Sequence, residues 1–392
     1  FPTRGNDLFL SIDLGIQKEA ETSLANRRGA IVALDPQTGD VLAMVSHPAF
    51  DPNLMSGGLS SKVWQGLLKD KNRPLTNRAI HGKYPPGSTF KIVLAAAILE
   101  TEIAAASDTL RCRGSVQMGN REFRDWKKGG HGEVNLHRSL VQSCDVYYYE
   151  KGRELGVDRI AQYAHIFGLD EPTGIDLAFE KSGLIPTKAW KEKTFKEPWY
   201  PGETLSIAIG QGFISSTPLQ LATMISAVAG DGVWRKPRIL TKTRNTETED
   251  ITEIPLAEGR KIPISQHHLK IIQKALAGVV SEKSGTAKKS ESEAFTMGGK
   301  TGTAQVVGRD TIEFKDVPEA LADHAWFVAF APLEAPKIAV VVLVENGGHG
   351  GSAAAPLAKQ VIGAYLIPEQ PDPTHNVESA PMPLNQAENN RG

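Results

Sequence analysis

Two cysteines in 392 residues are too few for a disulfide scaffold. Charge of one sign is also missing. Lys plus Arg is 44 and Asp plus Glu is 45, a net charge of −1, so no basic field argues for nucleic acid as a partner. Apolar runs such as Ile338 to Val344 are too short to span a bilayer. No signal peptide opens the chain and Phe1 is not an initiator Met, as expected of a segment whose targeting sequence lies elsewhere. No internal repeat is present. What remains, 40% hydrophobic and 23% charged, is an ordinary globular composition, in a chain long enough to bury a large core.

Local patterns give an order of elements. A short strand-like stretch, Leu8 to Ile12, precedes a helical pattern carrying Leu14, Ala20 and Leu24. Ala30–Leu34 and Val41–Val45 flank Asp35-Pro36-Gln37-Thr38-Gly39-Asp40, which predicts a β-hairpin. Both strands are nearly continuously apolar, so both are expected to be central and covered on each face. Pro48 to Pro86 reads as loop, and Phe90–Leu99 as a buried helix. Thr217-Pro218 starts a helix that Gly230 stops. Lys242–Glu253 and Ser281–Ala294 read as exposed connections. Strands are expected at Lys300–Val307, Ala325–Ala331 and Lys337–Glu345, then a helix over Ala355–Leu366. Ile367 to Gly392, rich in Pro, Asn and Glu, is expected to be a disordered tail after a domain spanning 1–366. Early and late strands can form one antiparallel sheet, with the helical middle as a second lobe.

Three short motifs can carry chemistry. Ser88-Thr89-Phe90-Lys91 sits where a Pro- and Gly-rich loop enters the buried helix, and its three-residue spacing puts hydroxyl and amine on one face. A serine hydroxyl needs an adjacent base, and a buried lysine can be one. The bland reading is an N-cap serine beside a solvated lysine. Lys300-Thr301-Gly302-Thr303 heads an apolar strand, and a lysine with two hydroxyls there suits a carboxylate, with Gly302 letting a substrate backbone come close. Its near-copy Lys283-Ser284-Gly285-Thr286 runs into Ala287-Lys288-Lys289-Ser290, which is loop, and is set aside. Ser143-Cys144-Asp145 offers a hydroxyl between the two in sequence, able to relay a proton. Ser11-Ile12-Asp13 is spelled alike but precedes the nucleophile, and is set aside too.

The cysteines raise a separate possibility. Cys112, Asp125, His131 and Cys144 are spaced Cys-x12-Asp-x5-His-x12-Cys, and all four residue types bind zinc. A disulfide between Cys112 and Cys144, or an Asp125 paired with nearby Arg or Lys beside a surface His131, reads the same residues without a metal.

In this order and spacing the three motifs resemble the serine active site of penicillin-recognising enzymes. Tyr84-Pro85-Pro86-Gly87-Ser88-Thr89-Phe90-Lys91, Ile209-Gly210-Gln211-Gly212 with Thr217-Pro218-Leu219-Gln220, and Phe327-Val328-Ala329-Phe330-Ala331-Pro332 resemble class B penicillin-binding proteins. Arg124-Asp125-Trp126-Lys127-Lys128, His131-Gly132 and Trp199-Tyr200 are similar to the elongation-specific type, penicillin-binding protein 2. The resemblance covers roughly residues 5 to 366. Class B members usually carry Asn where this chain has Asp145; the elongation type often has Asp.

The resemblance implies an α/β (α+β) fold of the penicillin-binding protein and serine β-lactamase kind, an antiparallel sheet flanked by helices plus a mostly helical lobe. It implies a D,D-transpeptidase that cross-links peptidoglycan stem peptides ending in D-Ala-D-Ala and is acylated by β-lactams. Ser88 would be the nucleophile, Lys91 the general base and Ser143 the proton relay. Lys300, Thr301, Gly302 and Thr303 would hold the substrate carboxylate, with Asp145 also in the substrate site. The N–H groups of Ser88 and Thr303 would form the oxyanion hole. No cofactor is needed for catalysis. A serine β-lactamase and a β-lactam sensor domain share the motifs and are the alternatives. Elongation-type relatives keep Asp-x5-His-x12-Cys, which favours a structural zinc. The family resemblance also implies a periplasmic domain anchored in the inner membrane and a partner glycosyltransferase of the elongation machinery.

Overall fold

The computed structural model describes residues 4–306 and 321–367. Its centre is a five-stranded sheet. In chain order the strands are β1 Gly29–Leu34, β2 Val41–His47, β3 Gly298–Ala304, β4 His324–Ala331 and β5 Ile338–Val344. Their spatial order is β3-β4-β5-β1-β2, every neighbouring pair antiparallel. The β1–β2 hairpin and the β3–β4–β5 meander thus come from opposite ends of the sequence and join along β1 and β5.

Alternation along the strands divides the core. Ile31, Ala33, Phe327, Ala329, Val340 and Val342 face helices α1 (Leu14–Leu24) and α7 (Ala355–Leu366). Val32, Leu34, Val328, Phe330, Val341 and Leu343 face the other way. There they meet α2 (Lys91–Glu100), α5 (Pro218–Ala229) and α6 (Gln266–Ser281). The remaining helical lobe includes α3 (Leu136–Val141) and α4 (Asp145–Leu155). This is the mixed architecture expected, with both faces of the sheet covered.

Capping sets the helix limits. The Asp13 side chain accepts from the Ile16 N–H at the start of α1. Thr217 and Gln220 form a reciprocal capping box on α5, with Pro218 in the first turn and Gly230 at the end. The set-aside Ser11-Ile12-Asp13 therefore serves structure: Asp13 caps α1, and the Ser11 hydroxyl donates to Val41 and Arg238 carbonyls.

Several local expectations need correction. β2 is not central: it is the outer strand, and Leu42, Met44 and Ser46 are only partly buried. Continuous apolarity does not distinguish an outer strand that packs against both core clusters from a central one. Residues 242–253 are not mere connection. The strand Leu240–Arg244 pairs with Asp7–Leu10 on one side and Ile251–Glu253 on the other. Cross-strand pairs such as Arg244 with Asp7 hold that sheet, so its polar composition concealed it. The loop 48–86 contains the short helices Asn53–Ser56, Ser61–Lys69 and Arg78–His81. Residues 281–294, mostly irregular, carry a 3-10 turn, Lys288–Ser290, and bury Ala287 and Ser290. β3 ends at Ala304, and Val307 and the expected tail beyond Ile367 lie outside the described residues. Among the described residues no helix is long and apolar enough to cross a membrane.

Candidate active site

Ser88 lies on a single 3-10 turn, Gly87–Phe90, that leads into α2. The turn is fixed by backbone packing that only glycine allows. A Cβ on Gly87, which has φ +54°, would sit 2.6 Å from the Thr303 carbonyl oxygen. One on Gly210, at φ +71°, would sit 2.1 Å from the Gly87 carbonyl oxygen. The Gly87 N–H donates to the Gly210 carbonyl at 2.9 Å, and the Gln211 amide donates to the Thr303 carbonyl at 3.0 Å. Three backbone segments are thereby stacked at the edge of β3. From the other side the Trp326 indole donates to the Pro85 carbonyl at 3.1 Å, and the Thr89 hydroxyl to that of Pro86 at 2.7 Å.

Upstream, Glu345 at the end of β5 gathers Tyr84 and Arg78. The tyrosine hydroxyl donates at 2.6 Å and the guanidinium at 2.8 Å. Burial pushes the Glu345 carboxyl up, but the Tyr84 hydrogen bond and the Arg78 charge outweigh it and leave the group below its usual range. Sequence reading missed this anchor because its members lie far apart in the chain.

Lys91, the first residue of α2, is fully buried. Its ammonium donates to the Ser143 carbonyl at 2.9 Å, the Ser143 hydroxyl at 3.3 Å and Asp145 Oδ1 at 2.6 Å. Ser143 occupies the turn between α3 and α4 at φ +54°, a left-handed conformation unusual for a residue other than glycine. The turn aims both its carbonyl and its hydroxyl at Lys91. Asp145 opens α4, where the helix dipole favours its charge. Its Oδ2 accepts the Trp126 N–H at 3.1 Å.

Lys300 is fully buried on β3 and donates to the Thr301 carbonyl at 3.1 Å. Burial, and next the Lys91 ammonium, hold it well below the usual lysine range, while Asp145 works the other way. Gly302 is confined: a Cβ there would lie 2.9 Å from Thr89 Cγ2 and 3.0 Å from the Pro86 carbonyl oxygen. Ser88, Lys91, Ser143, Asp145 and Lys300 through Thr303 therefore line one locality, where α2, the Ser143 turn and the free edge of β3 converge.

The near-copy at 283–286 divides on inspection. Lys283 and Ser284 are exposed, but the Thr286 hydroxyl lies 2.8 Å from that of Thr301.

Cys112, Asp125, His131 and Cys144 also converge, all four buried, with their donor atoms within 4.8 Å of one another. Both cysteines are free thiols. Asp125 Oδ2 lies 3.6 Å from Cys112 Sγ and 3.4 Å from Cys144 Sγ. His131 Nδ1 lies 3.7 Å from Cys112 Sγ and 3.5 Å from Asp125 Oδ1. Bond lengths of about 2.3 Å to sulfur and about 2.0–2.1 Å to nitrogen or oxygen put neighbouring donors of a zinc tetrahedron roughly 3.3–3.8 Å apart. The four separations given above lie in that range. Burial and then the Asp125 charge push the Cys144 thiol up. Although burial also pushes the Asp125 carboxyl up, His131 and the Lys127 and Val146 N–H groups hold it well below the usual range.

This cluster touches the lysine site directly. Asp125 Oδ2 accepts the N–H groups of Asp145 at 2.9 Å and Val146 at 3.1 Å. The indole of its neighbour Trp126 donates to the Ser143 carbonyl at 3.1 Å. The Arg124–Lys128 motif that contains Trp126 gives it no role, because nothing in that spelling ties it to a serine seventeen positions on.

Comparison with known proteins agrees with this geometry. Residues 29–363 match the family described as penicillin binding protein transpeptidase domain, and the chain belongs to that family. It is 40% identical over 375 residues to the peptidoglycan D,D-transpeptidase MrdA of Escherichia coli, covering 93% of this chain and 58% of that protein. The chain thus spans less than two thirds of the length of that relative. Among solved structures, Pseudomonas aeruginosa PBP2 in complex with WCK 5153 superposes with a TM-score of 0.83 at 38% identity, covering 94% of this chain and 77% of that one. A chain from a peptidoglycan synthase complex that coordinates polymerization and crosslinking superposes at 0.78 with 36% identity, covering 93% and 63%.

Proposed function

We propose that this chain is the catalytic part of a peptidoglycan D,D-transpeptidase that works during cell elongation and is acylated by β-lactams. The observation that carries the reading is the Lys91 amine nitrogen within hydrogen-bond reach of both Ser143 and Asp145, one helical turn from Ser88. Acting as a neutral amine, Lys91 takes the proton of the Ser88 hydroxyl as that oxygen attacks the carbonyl of the penultimate D-Ala of a stem peptide. The N–H groups of Ser88 and Thr303 stabilise the oxyanion. Lys91 returns the proton through the Ser143 hydroxyl to the amide nitrogen as the C–N bond breaks and the terminal D-Ala departs. An amine of a neighbouring stem then attacks the ester, gives up its proton along the same path, and frees Ser88. Lys300, Thr301 and Thr303 hold the carboxylate of the departing residue.

Cys112, Asp125, His131 and Cys144 would hold one zinc ion, a closed structural site that supplies no chemistry to the reaction. Asp125 would carry its rigidity to Asp145 and Val146. The resemblance to elongation-type relatives supports a periplasmic setting, an inner-membrane anchor outside this chain and a glycosyltransferase partner.

Incubation with a D-Ala-D-Ala peptide and an amine acceptor tests the reading. Release of D-Ala with formation of the new amide is expected. Acylation by penicillin without transfer to the amine would point to a sensor domain, and rapid turnover of penicillin to a β-lactamase. Either outcome would overturn the transpeptidase.

A further inference from the structure

Thr286 belongs to a segment whose spelling mimics the β3 motif and whose lysine faces solvent. Its own position is nevertheless built. Its N–H donates to the Val141 carbonyl at 3.3 Å, at the end of α3 just before the Ser143 turn. Its carbonyl is packed so closely on Gly351 that a Cβ there would lie 2.2 Å from the oxygen. Its hydroxyl lies 2.8 Å from the Thr301 hydroxyl, and Thr301 is itself buried.

A threonine hydroxyl donates one hydrogen bond and accepts up to two. In a contact between two hydroxyls only one proton can lie between the oxygens. An anion at Thr301 accepts hydrogen bonds and cannot donate them, so it claims the Thr301 proton. The proton between the two threonines must then come from Thr286. Donation by Thr286 polarises the Thr301 O–H and aims it at the anion.

We propose that Thr286 is a positioning residue for carboxylate recognition: its hydroxyl donates to Thr301 Oγ1 and so fixes the Thr301 proton toward the carboxylate of the donor stem or β-lactam. The inference rests on the reading of Thr301 as a carboxylate contact. Thr286 itself touches no substrate. It selects for acids over neutral analogues through its neighbour.

The test compares second-order acylation rates for a penicillin and for its methyl ester, on the same preparation of each variant. The ratio of the two cancels any loss of folded protein. Thr286→Val keeps the shape and removes the hydroxyl. It is expected to lower the acid rate about three- to tenfold and the ester rate less than about twofold, the scale of one neutral hydrogen bond. Thr286→Ser should restore the ratio, and Thr286→Ala serves if the valine variant does not fold. Thr301→Val, run in parallel, should lower the acid-to-ester ratio at least as far. If Thr286→Val slows acid and ester equally, or leaves both unchanged, while Thr301→Val lowers the ratio, the role of Thr286 is overturned alone. If Thr301→Val leaves the ratio unchanged, the carboxylate reading of Thr301 fails, and this inference with it.

Discussion

Two walls of the same cleft are made rigid in different ways. The wall carrying Ser88 and Lys300 is built on the core: β3 pairs with β4, and Gly87 and Gly210 let three backbones stack without side chains between them. The wall carrying Ser143 and Asp145 shares the core through Leu140, Val146, Tyr147 and Tyr148, but polar groups join its outer segment to the site. The 112–131 segment has only the short pairings Leu110–Cys112 with Gly132–Val134 and Ser115–Met118 with Arg121–Arg124. What fixes it to the cleft is the buried cluster of two thiols, an imidazole and a carboxylate, and the bonds from Asp125 and Trp126 to residues 143–146. A wall made by packing fails through steric conflict. A wall made by polar groups fails when one donor is removed.

The largest effects should come from the chemistry on the packed wall. Ser88→Ala should gain no drug mass after penicillin treatment in an intact-mass measurement, and a variant that still gains it would remove Ser88 from its role. Lys300→Ala should slow acylation about 10²–10³-fold, the usual result of deleting one preorganised donor, while Lys283→Ala leaves it nearly unchanged. The opposite pattern would exchange the two motifs.

Next comes the packing itself. Gly210→Ala puts a Cβ 2.1 Å from the Gly87 carbonyl oxygen at a positive φ. Strain and overpacking together should cost about 2–4 kcal/mol of stability, and the turn bearing Ser88 should shift. Denaturant unfolding and acylation kinetics should both register it. Wild-type stability in this variant would mean that the stacking is looser than the distances indicate.

On the polar wall, His131→Ala should lower stability, because it removes one of the four buried side chains that would hold the metal. A melting temperature lower by roughly 10 °C is expected. Chelation should act in the same direction and to a comparable extent, since a metal bound only by the folded protein contributes to its stability. Metal analysis should find one zinc per chain. A chain free of metal after metal-replete purification, with chelator inert and reductant destabilising, would return the cysteines to a disulfide.

The two walls also differ in how legible they were. Ser88, Lys91 and Lys300 to Thr303 announce themselves by spacing and by the elements around them, because a buried helix and a buried strand leave strong apolar patterns. The sheet edge did not: β2 and β1 look equally apolar, and only the pairing order distinguishes them. Polar strands at 240–244 and 251–253 were invisible for the converse reason, since ladder hydrogen bonds leave no apolar trace. Residues whose part depends on distant neighbours are harder to read: Glu345 has no motif, and the spellings around Thr286 and Trp126 do not disclose their partners. The left-handed turn at Ser143 likewise follows from what grips it.

That grip supplies the smallest and sharpest test of the comparison. The Ser143 carbonyl accepts from two donors, Lys91 Nζ at 2.9 Å and the Trp126 indole at 3.1 Å. Trp126 also donates its backbone N–H to Asp145, and that bond survives any change of side chain. Trp126→Phe therefore removes one indole donor, shared between the Gln142 carbonyl at 3.0 Å and the Ser143 carbonyl at 3.1 Å, while keeping an aromatic ring against His131. A left-handed serine costs energy, so losing one of two restraints should let the turn relax part of the time. We expect acylation to slow about three- to tenfold, the scale of one hydrogen bond, with zinc content and melting temperature nearly unchanged. Loss of the metal in this variant would mean that the indole supports the cluster rather than the turn. Unchanged acylation would mean that Lys91 alone holds Ser143, so that the packed wall governs both sides of the cleft.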